Sequence, residues 1–136
     1  MLVAGDALAF LAFATVGRGQ HHEPTAFAAL GQTVLTAMPF ALGWLAVAPL
    51  LGVYQRARTN TPAGMLRTTL LAWLAAWPAT LVLRWAFSGR VPPVPFAMVI
   101  LLANAVLLAL WRGTFALWER RRPQRQAAVL PPDAIP

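Results

Sequence analysis

Apolar residues gather in four long runs, and polar ones fall between them or at isolated positions inside them. A helix needs about 20 mostly apolar residues to cross a bilayer. The first run, about 2–17, is short for that length and spans only with help from a thinned bilayer. Apolar character resumes at Thr25 and lasts to Tyr54, more than one crossing needs at about 1.5 Å per residue. Gly31, Gln32, Pro39 and Pro49 interrupt it. We read 25–30 as an interfacial turn or short helix and 33–54 as a kinked span. The remaining spans fall at about 68–87, with Pro78 inside, and 96–118.

Ser88-Gly89-Arg90-Val91-Pro92-Pro93-Val94-Pro95 is a turn by composition. It joins the third and fourth spans as a short antiparallel hairpin. After Trp118 come Glu119-Arg120-Arg121-Arg122-Pro123 and a Pro-rich stretch. Residues 119–136 therefore read as a basic, then Pro-rich, disordered tail. The pattern predicts an all-α integral membrane four-helix bundle in a domain of residues 1–118.

Composition supports this reading. Of 136 residues, 59% are hydrophobic and only 11% charged, whereas soluble domains carry about 25% charged residues. The net charge of +7 comes from eleven arginines with no lysine. In a soluble domain that balance would raise a nucleic-acid partner. Here the arginines mark topology and contact with lipid headgroups, and no nucleic-acid partner is expected. Arg56, Arg58, Arg67, Arg120, Arg121, Arg122 and Arg125 share one side of a four-span layout, against Arg18, Arg90 and the edge residue Arg84. The positive-inside rule then places both termini in the cytoplasm and the hairpin outside. Leu2–Val16 lacks the basic start of a signal peptide, and Asp6 interrupts it. There is no cysteine, hence no disulfide and no thiolate chemistry.

Three charges fall within apolar runs: Asp6, Arg84 and Arg112. A charge at bilayer depth persists only where it pairs, faces the bundle interior or snorkels to the surface. Asp6 lies about 6 Å and Arg112 about 9 Å from the cytoplasmic ends of their spans, at 1.5 Å per residue. They are the buried acid and buried base of one leaflet, so an intramembrane ion pair is expected. A helix–helix clamp and a substrate or proton site both remain open. On the outer side, Trp73, Trp77, Thr80 and Arg84 follow one another at spacings of four, three and four, which is one face of a helix. Arg18, His21 and Glu23 lie in the loop that reaches the same side. An outer polar cluster of Arg84, Trp77, Thr80, Arg18, His21 and Glu23 could hold a small anion or a headgroup phosphate.

His21 and His22 are adjacent and diverge in any regular backbone, so no metal and no cofactor is expected. No nucleophile, P-loop, dinucleotide or zinc-protease motif occurs, and the chain is read as not an enzyme. Asp6 with a following Phe, Gly17-Arg18, His21, Pro39-Phe40, Gly43-Trp44, Arg84, Phe96 and Trp111-Arg112 resemble the DUF3054 family of small prokaryotic membrane proteins. The resemblance covers most of residues 5–112. It implies a four-helix membrane domain and carries no activity. The functional expectation is a non-enzymatic accessory subunit or ligand- or lipid-binding module of the cell membrane. Its partners would be the bilayer and a membrane protein or a second copy. The alternative is a small proton- or ion-coupled transporter working as a homo-oligomer.

Overall fold

A computed structural model describes residues 1–18, 26–59 and 61–129. All regular structure among them is helical: α1 (Leu2–Arg18), α2 (Ala26–Val47), the single turn α3 (Arg56–Thr59), α4 (Pro62–Ser88) and α5 (Val94–Val129). Three of the helices, over Phe27–Val47, Pro62–Ser88 and Val94–Arg121, are long and apolar enough to cross a membrane. α1 is apolar but shorter.

Packing runs in a ring: α1 against α2, α2 against α4, α4 against α5 and α5 against α1. One end of the molecule gathers Met1, Tyr54, Arg56, Met65, Phe115 and Glu119. We call it the arginine-rich end. The hairpin between α4 and α5 lies at the other. The surface, rather than the core, departs from that of a water-soluble domain, because the core is itself apolar around Phe10, Phe40, Trp44, Trp73, Ile100 and Leu108. Leu8, Leu71, Leu74, Val82, Leu102 and Leu110 face outward, while Asp6, Thr69, Thr80, Asn104 and Arg112 are buried. Such a surface suits lipid, and the interior is where polar groups find partners.

Local signals explain where the helices begin and end. Thr61 caps α4, its hydroxyl accepting the Gly64 N–H at 3.0 Å, and Pro62 occupies the first turn. A proline there gives up a donor that would be unpaired anyway. α4 closes on Gly89, whose φ of +66° needs no Cβ and whose N–H bonds the Trp85 carbonyl at 2.8 Å. The linker to α5 is short, as the turn composition predicts.

α4 starts at Pro62, six residues before the expected 68, and larger differences from expectation fall in α2 and α5. α2 starts at Ala26 and stops at Val47 rather than covering 33–54. Pro39 lies inside it without ending it, whereas Pro49 and Gly52 do end it. Gly52 takes a φ of +71°, and the chain turns back so that the Val53 N–H reaches the Ala48 carbonyl at 3.1 Å. That turn folds Val53 into the core. α5 continues past Trp118 to Val129, through the start of the tail expected to be disordered. Pro123 removes one backbone donor, but the Arg, Gln and Ala around it are strong helix formers and carry the helix on. Residues 130–136 lie outside the described region.

Candidate functional site

α1 and α5 run antiparallel, and two neighbouring pairs of residues face each other across them. A Cβ on Gly5 would collide with the Trp111 indole ring, so only glycine permits this approach. The next residue on each helix then forms the second contact, Asp6 against Arg112. The Arg112 Nε donates to Asp6 Oδ1 at 2.9 Å and its Nη2 to Oδ2 at 2.5 Å. This is a bidentate fork onto the carboxylate, with both residues almost wholly buried.

The pair does not stand alone. Trp44 on α2 donates its indole N–H to Asp6 Oδ2 at 3.0 Å, and the Tyr54 hydroxyl donates to the same oxygen at 2.8 Å. The Arg112 Nη1 reaches the Val53 carbonyl at 3.2 Å, an acceptor presented by the turn after α2. The guanidinium also lies over the rings of Tyr54 and Trp44, at 5.0 Å and 5.4 Å from their centroids. Such stacking favours a cation, most of all where water is excluded. Phe10, one turn along α1 from Asp6, packs at 5.7 Å from Trp73 and 6.4 Å from Trp44, which closes the network on its inner side.

Tyr54 belongs to the turn outside the spans. Burial, then the Asp6 charge and its hydrogen bond, push the hydroxyl up to about 12. A phenol is protonated at neutral pH in any case, and the upward shift keeps it the donor Asp6 requires into the alkaline range.

The sequence pointed to Asp6 and Arg112, and the structure brings these two together. It did not point to Trp44, Tyr54 or the Val53 carbonyl as their partners. The available signal was chemical: a buried Trp or Tyr needs an acceptor for its polar hydrogen, and Asp6 was the acid at that depth.

The outer cluster has a different composition. Trp73 and Trp77 donate their indole N–H groups to the Leu101 and Ala97 carbonyls of α5, at 2.9 Å and 3.1 Å. Thr80 is buried, bonds the Trp77 carbonyl at 2.6 Å and packs on α2, where a Cβ at Gly43 would come within 2.5 Å of its Cγ2. Arg84 is half-buried at the edge, its guanidinium 5.9 Å from the Phe96 ring centroid. His21, Glu23 and the Arg18 side chain lie outside the described residues. Among the described residues, two further buried atoms have no hydrogen-bond partner, Asn104 Oδ1 and Trp111 Nε1.

The DUF3054 family model, described as a protein of unknown function, matches residues 3–115. The chain belongs to the DUF3054 family. No curated protein and no solved structure matches it. The DUF3054 match takes in Asp6, Trp44, Tyr54 and Arg112, together with the Trp73–Arg84 stripe, and stops before Glu119 and Arg120.

Proposed function

We propose that this DUF3054 protein is a four-span integral protein of the cell membrane with both termini cytoplasmic. In this reading it serves as a non-enzymatic accessory subunit or ligand- or lipid-binding module, and Asp6–Arg112 is the clamp that fixes its helices. α1 is the fourth span; its 17 residues reach about 26 Å at 1.5 Å per residue, close to a bilayer core of about 30 Å. One observation carries the clamp reading. Both Asp6 oxygens and the Arg112 fork are engaged by protein groups from α1, α2, α5 and the turn after α2. A proton relay needs a carboxylate that can exchange with water, whereas a clamp needs one that is fully held. The arginine asymmetry supports the orientation. Reporter fusions after Pro136 and within Ser88–Pro95 test it: activity of a cytoplasmic reporter at the C-terminus and of a periplasmic one in the hairpin is expected. The opposite pattern overturns the topology.

The transporter reading draws on one observation, the unpartnered Oδ1 of buried Asn104, two turns along α5 from Arg112. A buried acceptor without a donor is costly and marks a place for a water or a polar solute. Proton or cation flux in proteoliposomes that falls on Asn104→Leu would favour this reading over the clamp alone.

A further inference from the structure

We propose that the arginine-rich end carries a binding site for a phosphate group, formed between α3 and the extension of α5. This rests on the lipid- or ligand-binding reading above and names the chemistry of the ligand. Two open clefts meet there. One, of about 250 Å³, is lined by Arg56, Thr59, Ala116, Glu119 and Arg120. The other, of about 340 Å³, continues past Arg56, Thr59 and Glu119 to Met65, Phe115 and Tyr54.

The cleft is two-sided. Its rim carries the exposed guanidinium groups of Arg56 and Arg120, which have no hydrogen-bond or ion-pair partner among the described residues. Its floor is apolar, from Met65, Phe115 and Ala116. The other polar groups are already committed. The Thr59 hydroxyl donates to the Gln55 carbonyl at 3.0 Å, and the Tyr54 hydroxyl donates to Asp6. The remaining side-chain donors are thus the two planar forks, with the Met1 ammonium at the far side of the second cleft, and the forks match the oxygens of a phosphate better than any neutral solute. Glu119 lines the same cleft and opposes an anion there.

Basic pockets beside helix ends on the cytoplasmic side take anionic lipid headgroups. An apolar floor continuous with lipid-facing helix flanks adds a place for the start of an acyl chain. The same two arginines would hold a free phosphate by the same bonds, so the source of the phosphate is what the experiment separates.

The test uses the full chain in nanodiscs of phosphatidylcholine with increasing phosphatidylglycerol, read by bound lipid in native mass spectrometry. One tightly held phosphatidylglycerol per chain is expected. Arg56→Gln and Arg120→Gln should each weaken it by about fivefold, since one basic residue near a membrane surface is worth roughly that factor. Glu119→Gln should tighten it. Arg121→Gln, on the same helix and of the same charge but outside the cleft, is the control and should change little. If Arg121→Gln weakens binding as much as Arg120→Gln, the effect is general attraction to a basic flank and the site is overturned. Inorganic phosphate titrated in phosphatidylcholine discs is the second arm. A thermal shift that disappears in Arg56→Gln, without retention of phosphatidylglycerol, would assign the site to a free anion. Absence of both the retention and the shift overturns the proposal, while the reporter-fusion result for the membrane reading stands separately.

Discussion

Two arginines lie at opposite ends of this molecule and are handled in opposite ways. Arg112 is fully buried and meets a carboxylate, a backbone carbonyl and two aromatic faces. Arg84 is half-buried at the edge of α4 and meets one aromatic face. The difference follows from depth and company. A guanidinium drawn into the interior is stable only when its charge is balanced, so α1 must deliver Asp6 to it, and Gly5 must be small enough to allow that. A guanidinium at the edge keeps water or headgroups within reach and needs no acid. Buried position, more than residue type, sets what each arginine does for the fold.

The comparison breaks first at the clamp. Asp6→Asn or Arg112→Gln alone leaves a buried charge unpaired and should cost about 3–5 kcal/mol. This would register as a large fall in the detergent melting temperature or as loss of the folded protein. An apolar residue in place of either partner is no remedy, because the remaining charge would still lack its counterpart.

Tyr54 should come next. Tyr54→Phe removes the hydrogen bond to the Asp6 carboxylate, worth about 1.5–3 kcal/mol, and with it the hydroxyl that also accepts from the Trp44 indole N–H. Its pH signature is unusually clean. The chain has a single tyrosine, no cysteine and no lysine, so Tyr54 is the side chain that titrates between the ordinary phenol value of 10.0 and about 12. Its pKa is raised on folding, so its contribution is complete below pH 10.0 and is lost as pH climbs through about 12. Tyrosinate absorbance should therefore rise later in the folded protein than after unfolding, and Tyr54→Phe should flatten the alkaline loss of stability. Coincident titration curves would place Tyr54 outside the network.

The smallest effect belongs to Arg84. Arg84→Gln gives up a cation–ring contact worth about 0.5–1 kcal/mol at an exposed site, and Arg84→Lys less than that. A loss at Arg84→Lys as large as at Arg112→Gln would mean that the outer arginine holds an anion after all, and the contrast between the two ends would fail.

Much of this was legible in the chain. The apolar runs, the turn at Ser88–Pro95 and the matched depths of Asp6 and Arg112 follow from hydropathy and helix rise alone. The end of α2 was harder to read, because Pro39 and Pro49 look alike in sequence and only the second is followed by a glycine that takes a positive φ. The turn they decide brings Val53 and Tyr54 to Arg112, so missing it hid two partners of the site. The extension of α5 was obscured by Pro123, whose breaking tendency is outweighed by its helix-forming neighbours. Trp44 lay in an apolar stretch where an indole looks like packing, and its hydrogen-bonding role emerges only once α1 and α2 are side by side.

The most direct test of the clamp is a double-mutant cycle on Asp6 and Arg112, with unfolding followed in detergent. Asp6→Asn and Arg112→Gln should each be strongly destabilising, and the double variant should recover much of the loss, because removing both charges leaves none unpaired. Strictly additive losses would show that the two residues act independently, and would contradict the account.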